Sequence, residues 1–427
     1  MKNISYLFSL LVLTLFGCAD QVSEMVTYTI NEPVFMTSET FRKSVKVTSE
    51  PKTIDVLGKI CFYEGYLYVS EPEKGIHIID NRQPSTPQMI GFIELLGNAD
   101  LSIRNGLLYA DSFVDLVWFD VSNPALPELK GRLENVFKMA LPRIENTYGV
   151  DYNMAYNADS TGVVVGWELK ERTEDVNKYS GGWYGGWGRP ELFAMTDGIA
   201  INSTKAGGIN GITGSMSRFS IYDGYLYTVI NNAMNIFSLD GVKPTKATED
   251  IYIGSNVETI FSYEDNLFMG TPTGMLIYSV KDPLKPEYQS SLQHVFGCDP
   301  VVVENDIAYV TIHSGNNCGQ ENNELIIVDV SNVKLPKQIV SYTMTNPKGL
   351  GIDNGKLFLC DDGLKIYNAA DPKKIMANEL AHYRGMIGFD VIPYNNTLMM
   401  IAEDGLYQYD YSVLSNIRQI SKIAIGE

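Results

Sequence analysis

Apolar and polar residues alternate with a period of two along most of this chain, in short runs broken by Gly, Asn, Asp and Pro. One run, Asp115 to Pro127 (DLVWFDVSNPALP), sets the pattern: an apolar strand, an Asp, then a Ser-Asn-Pro turn. It recurs as GIHIIDNRQPSTP from Gly75, GMLIYSVKDPLKP from Gly274, ELIIVDVSNVKLP from Glu324 and GLKIYNAADPKK from Gly363. A second unit precedes the copies: an acidic or aromatic residue, a Gly or Asn turn, then a Leu-aromatic strand. Examples are YEGYLYV at Tyr63, IRNGLLYA at Ile103, YDGYLYT at Tyr222 and IDNGKLFL at Ile352. Asp-Gly and Asn-Gly between alternating apolar residues are hairpin signals. Each unit therefore predicts a hairpin, a third strand, an Asx-Pro turn and an outer strand.

The second residue of the Leu-aromatic pair falls at Tyr68, Tyr109, Tyr227, Phe268, Tyr309, Phe358 and Met399, and four of the successive gaps are 41 residues. Between Tyr109 and Tyr227 there is room for one further copy. GVVVGWELK from Gly162 supplies its strand, with AYNADSTG before it as the turn. A period near forty with about four short strands per unit predicts an all-β fold, a β-propeller. Eight four-stranded blades are expected, or seven if the third unit forms none. VTYTINEPVFM, Val26 to Met36, predicts an additional strand that pairs with the last blade near Tyr407 to Ile425 and leaves no sheet edge exposed. The stretch 170–217 contains SGGWYGGWGRP and KAGGINGITGS and is too rich in Gly to hold a core, so it predicts a long loop projecting from the third unit. Trp183, Tyr184 and Trp187 give that loop aromatic faces. They either stack on a ligand such as a sugar or fold back over the propeller.

The first residues stand outside this pattern. An apolar run, Tyr6 to Phe16, is too short to span a bilayer and has the dimensions of a signal-peptide core. Leu15-Phe16-Gly17-Cys18 follows, and this resembles the bacterial lipobox, in which the Cys is lipidated. That resemblance implies a signal peptide over 1–17, a lipidated Cys18 and tether over 18–25, and one propeller domain over 26–427. The protein is then expected in the cell envelope, anchored to the outer membrane through the Cys18 lipid alone and facing the periplasm or the cell exterior.

Charge narrows the partners. Asp and Glu number 51 against 33 Lys and Arg, a net charge of -18, and a field of that sign repels nucleic acid. Export permits disulfides. Cys61 in ICFY and Cys360 in LFLC read as small buried apolar residues, whereas Cys298 and Cys318 lie in polar, loop-like stretches of one repeat and are expected to pair.

LVWFD at Leu116 and LIIVD at Leu325, each continued by Val-Ser-Asn or its start, are similar to the LVIVD repeat. The chain as a whole resembles lipid-anchored LVIVD-repeat β-propeller proteins of Gram-negative bacteria. The resemblance implies a propeller with no established enzymatic activity, and it transfers no catalytic residues.

In a propeller, the residues just before each innermost strand form a ring around the channel mouth. That column reads Lys59, Asp100, Arg218, Glu258, Asp299, Lys348 and Asp390, with Asn98, Asn256 and Asn346 nearby. It is either a site for a cation such as calcium or for a polyhydroxyl ligand, or a ring of self-compensating ion pairs. Asp80, Asp120 and Asp329 at the strand ends are expected to cap the turns that follow them. The sequence holds no G-x-S-x-G, P-loop or H-E-x-x-H and only four His. The expected function is a monomeric, non-catalytic binding or scaffolding module for a protein or glycan partner, with no cofactor. The alternative is a glycan-active lyase or hydrolase that uses Asp100, Glu258, Asp299 or Asp390.

Overall fold

A computed structural model of the protein describes residues 25–144, 146–157, 162–175, 210–215, 217–230, 232–241, 243–254, 256–293, 300–313 and 322–426. Among them the alternating pattern resolves into antiparallel meanders over 60–94, 101–133, 219–252, 259–293, 301–343, 350–383 and 388–424, numbered here sheets one to seven. Asn-Gly and Asp-Gly turn the hairpins that contain them as the sequence asks. Asn105 and Gly106, or Asp223 and Gly224, both adopt positive φ, and the resulting turn matches the twist of its strands.

The strand Asp115–Asp120 shows why its apolar run is unbroken. Leu116 and Trp118 pack on Phe219, Ile221 and Phe237 of sheet three, while Val117 and Phe119 pack on Ile76, Ile78 and Ile93 of sheet one. Both faces are covered, so every side chain of the run is buried, each contributing roughly 1.5–3 kcal/mol. The same packing joins sheets three and four through Tyr227 and Ile260, and sheets four, five and six through Phe268, Ile327 and Leu359. It continues from sheets six and seven, through Phe358 and Met399, onto Ile60, Val69 and Ile79 of sheet one.

Two sets of polar hooks follow the same circuit. At the rim, the turn after the third strand of one sheet offers a carbonyl to the sheet before it. Tyr227 Oη donates to Pro283 O at 3.1 Å, Ser290 Oγ to Val333 O at 2.5 Å, Tyr342 Oη to Pro372 O at 3.0 Å and Ser421 Oγ to Pro84 O at 2.7 Å. Near the axis, the last residue of an innermost strand reaches the next hairpin. Tyr63 Oη accepts from Gly106 N at 2.8 Å, and the Glu304 carboxylate accepts from Asn354 N and Gly355 N at 2.8 and 2.7 Å.

Two expectations are corrected. The strand Met25–Met36 does not pair with sheet seven; it pairs antiparallel with Val163–Asp175 and, at Ile30 and Asn31, parallel with Gly149–Val150. GVVVGWELK is therefore a strand, but of a separate three-stranded sheet rather than of a third meander. AYNADSTG likewise begins inside a short helix, Tyr152–Tyr156. Twelve cross-strand pairs to the N-terminal strand give those apolar residues a partner that no local pattern could name. Another short helix, Ser38–Lys43, follows the N-terminal strand and buries Phe41. Lys46–Thr48 then adds to the outer edge of sheet one.

Sheet seven is built wholly from 388–424, so no strand is exchanged where the last sheet meets the first. That joint carries a buried amide pair: Asn81 Nδ2 donates to Gln408 Oε1 at 3.0 Å, and Gln408 Nε2 returns to Asn81 Oδ1 at 2.7 Å. Gln408→Leu strands the Asn81 amide and is expected to lower stability by about 1–3 kcal/mol in urea unfolding, with Asn81→Leu added to it restoring part of the loss. A wild-type midpoint for Gln408→Leu would show that the pair does not hold the joint.

Candidate functional site

The face at which the innermost strands begin is here called the upper face. Lys59, Asp100, Arg218 and Glu258 each immediately precede an innermost strand, and Lys348 precedes its strand by two residues. Asp390 lies inside its strand, paired with Ile401 across a bulge. Asp299 lies outside the described residues, as do Cys298, Cys318, Trp183, Tyr184 and Trp187. Cys61 and Cys360 are buried, as the sequence led one to expect.

The Asp100 carboxylate is buried, at 1% exposure, and is held by donors. Oδ1 accepts from Leu101 N at 2.8 Å and Ser217 Oγ at 3.0 Å, and Oδ2 accepts from Arg218 N at 2.5 Å. Behind it lies Asp111, equally buried, whose Oδ1 accepts from Ala99 N at 2.7 Å, Asp100 N at 2.9 Å and Asn98 Nδ2 at 3.1 Å. Burial raises the pKa of both groups. Lys59 and Arg218 pull Asp100 back down, while Asp111 is pushed up to about 7. A carboxylate surrounded by N–H and O–H donors with cations on either side is poorly suited to calcium, which needs several oxygens turned toward it. Among the described residues, no group of three or more His, Cys, Asp or Glu is arranged to hold a metal ion.

Elsewhere on this face, Lys348 Nζ stands 4.2 Å above the Phe389 ring. Burial, with help from the Lys348 charge, holds His313 down to about 4. The strand-end acids cap turns as expected: Asp120 Oδ1 accepts from Ser122 N at 2.9 Å and Asp329 Oδ1 from Ser331 N at 3.0 Å. Asp80 does the same for Arg82 N at 3.1 Å.

The sequence reading did not foresee what lies in the channel. Ile212 and Thr213 pair antiparallel with Phe62 and Cys61, on the inner edge of sheet one. Gly211 N donates to Ile103 O of sheet two at 2.7 Å, and Asn210 Nδ2 reaches Ile221 O of sheet three at 3.5 Å. The segment thus runs upward inside the innermost strands and ends at Ser217 and Arg218 on the Asp100 carboxylate. Of the expected loop over 170–217, the start continues a strand to Asp175 and Ile212 and Thr213 near its end pair with sheet one, while 176–209 lie outside the described residues. Gly211 marks the closest approach. A Cβ there would sit 2.6 Å from Cys61 Sγ and 3.2 Å from Ile103 Cβ. One signal was available in the sequence: GINGITG ends a Gly-rich stretch with the β-branched pair Ile212 and Thr213. Asp111, an acid inside the otherwise apolar LLYADS strand, was another.

Gly211→Val should push this strand off sheet one. Cys61, fully buried in the wild type, is then expected to react with a thiol reagent in the folded protein, as read by peptide mass spectrometry, while Cys360 stays protected. An unreactive Cys61 in that variant would count against the tight approach.

The LVIVD repeat model matches residues 58–94, 99–135 and 317–344. The first two matches coincide with sheets one and two, and the third covers the outer half of sheet five. No curated protein matches the chain in sequence. Among solved structures, the computationally designed Ika8 protein is similar at 7% identity, over 88% of this chain and 89% of that one, with a TM-score of 0.48. Hsv2p of Kluyveromyces lactis is similar at 10% identity, over 87% and 99%, with a TM-score of 0.46. A functionally unknown protein of Desulfotomaculum acetoxidans is similar at 8% identity, over 77% and 81%, with a TM-score of 0.47. The chain is an all-β protein that carries LVIVD repeats in sheets of a β-propeller.

Proposed function

We propose that the protein is a lipid-anchored extracytoplasmic propeller of seven blades that binds a protein or glycan partner without catalysis. The blade number is supported by seven meanders whose cores succeed one another until sheet seven packs on sheet one. The anchor is supported by the apolar run and Leu15-Phe16-Gly17-Cys18. No helix among the described residues is long and apolar enough to cross a membrane.

The observation that carries the non-catalytic reading is the burial of Asp100 and Asp390, each at 1% exposure. A lyase or hydrolase acting on a glycan needs its acid and base within hydrogen-bond reach of the substrate. Asp100 instead fastens the chain's own channel segment, and that segment occupies the place a ligand threading the channel would take. Partner contact then falls on the outer surfaces of the ring.

Cell fractionation tests the anchor: the wild type is expected in the membrane fraction and Cys18→Ala in the soluble fraction. Glycan and envelope-protein arrays probed with the full mature chain should give saturable binding without turnover. Depolymerisation of any glycan, abolished in folded Asp100→Asn, would falsify the non-catalytic reading.

A further inference from the structure

We propose that the channel segment is a strap joining sheet two to sheet three, and that Asp100, with Asp111 behind it, forms a pH-sensitive latch at its upper end. Between these two sheets the chain leaves the ring after Leu133 and returns only at Phe219. Their joint also has a polar interior. Ser102 lies opposite Tyr109, and Thr228 and Asn235 lie in the row of Phe219, both of them aromatics in that joint's core. Ser102 Oγ, Thr228 Oγ1 and Asn235 Oδ1 are buried without a hydrogen-bond partner among the described residues. Such groups weaken an interface unless water reaches them.

The strap compensates at both ends. Below, Asn210 bridges Arg104 of sheet two and reaches Ile221 O of sheet three. Above, one carboxylate of sheet two receives both Ser217 Oγ and Arg218 N, where the strap passes into sheet three. The groups whose charges bear on that carboxylate and its neighbour are Lys59 from sheet one, Arg218 from sheet three and the Cys61 thiol.

Two buried carboxylates in succession cannot both ionise cheaply. Asp111 Oδ1 takes all three N–H donors, which leaves Oδ2 to carry a proton. With that proton in place the pair carries a single negative charge, and the Asp100 oxygens accept from Arg218 N and Ser217 Oγ. When the latch opens and water enters, Asp111 returns toward the ordinary carboxylate range and releases the proton. The closed state therefore binds more protons than the open one between about pH 4 and the value of about 7 to which burial raises Asp111. The latch is tightest in acid, loosens as pH rises through that window, and changes no further above it.

Hydrogen exchange of the full mature chain, corrected for intrinsic rates, tests this. Protection of amides in 101–104 and 210–222 should fall by up to about tenfold per pH unit between pH 5 and 7, the slope of one proton, and level off above. Amides in 350–359 should not change over the same range. Asp111→Asn keeps the Oδ1 acceptor without the charge and should give flat, high protection. Ser217→Ala should lower protection of the strap at every pH while the wild-type slope persists. A flat wild-type profile, a slope shared by 350–359, or a slope that survives in Asp111→Asn would overturn the proposal. Should Asp111→Asn fail to fold, the wild-type and Ser217→Ala profiles decide the matter alone.

Discussion

The fold depends on the fact that no sheet of this protein can cover its own faces. Leu116 and Trp118 look one way and Val117 and Phe119 the other, so the strand that carries them is stable only between two neighbours. Repetition supplies those neighbours and the turns lock them. A carbonyl in the turn after the third strand, exposed by the very residues that end the strand, receives a hydroxyl from the sheet before it, as Pro372 O does from Tyr342 and Pro84 O from Ser421. The repeated motif is thus half core and half socket. Because sheet seven is complete in itself, the circuit closes through side chains, with Asn81, Gln408 and the Ile60 to Tyr409 core at the seam.

The interruption after sheet two is where the regular plan yields. The chain departs to build a ribbon from its N-terminal strand and Val163–Asp175, then comes back through the channel. The return pairs with the inner edge of Ile60–Tyr63, one of the innermost strands that face the centre of the ring. An edge paired from within is satisfied like any other. It also changes the meaning of the mouth, since charges that line an open well in the repeat pattern become fastenings for the strand beneath them.

Much of the architecture was legible because it is local and repeated. Hairpin dipeptides, the 41-residue spacing and the acid at each strand end were readable one unit at a time, and Asp120 and Asp329 cap the turns their positions imply. The third unit misled because GVVVGWELK has the composition of a blade strand, and only its pairing with Met25–Met36 decides which sheet it joins. Pairing is a long-range choice that composition does not carry. The column was legible as a set of positions, with Lys59 and Arg218 flanking Asp100, but its chemistry was not. Asp100 is held by residues more than a hundred positions later in the chain, and an acid beside a strand looks the same in sequence whether water or Ser217 sits next to it.

A crystal structure of the mature chain, at a resolution that traces main-chain hydrogen bonds in the channel, tests this account most directly. The account predicts continuous density for 210–217 inside the ring, antiparallel to Ile60–Tyr63, ending with Arg218 N on the Asp100 carboxylate. A solvent-filled channel with 210–217 outside it, and Asp100 open to water, would contradict it.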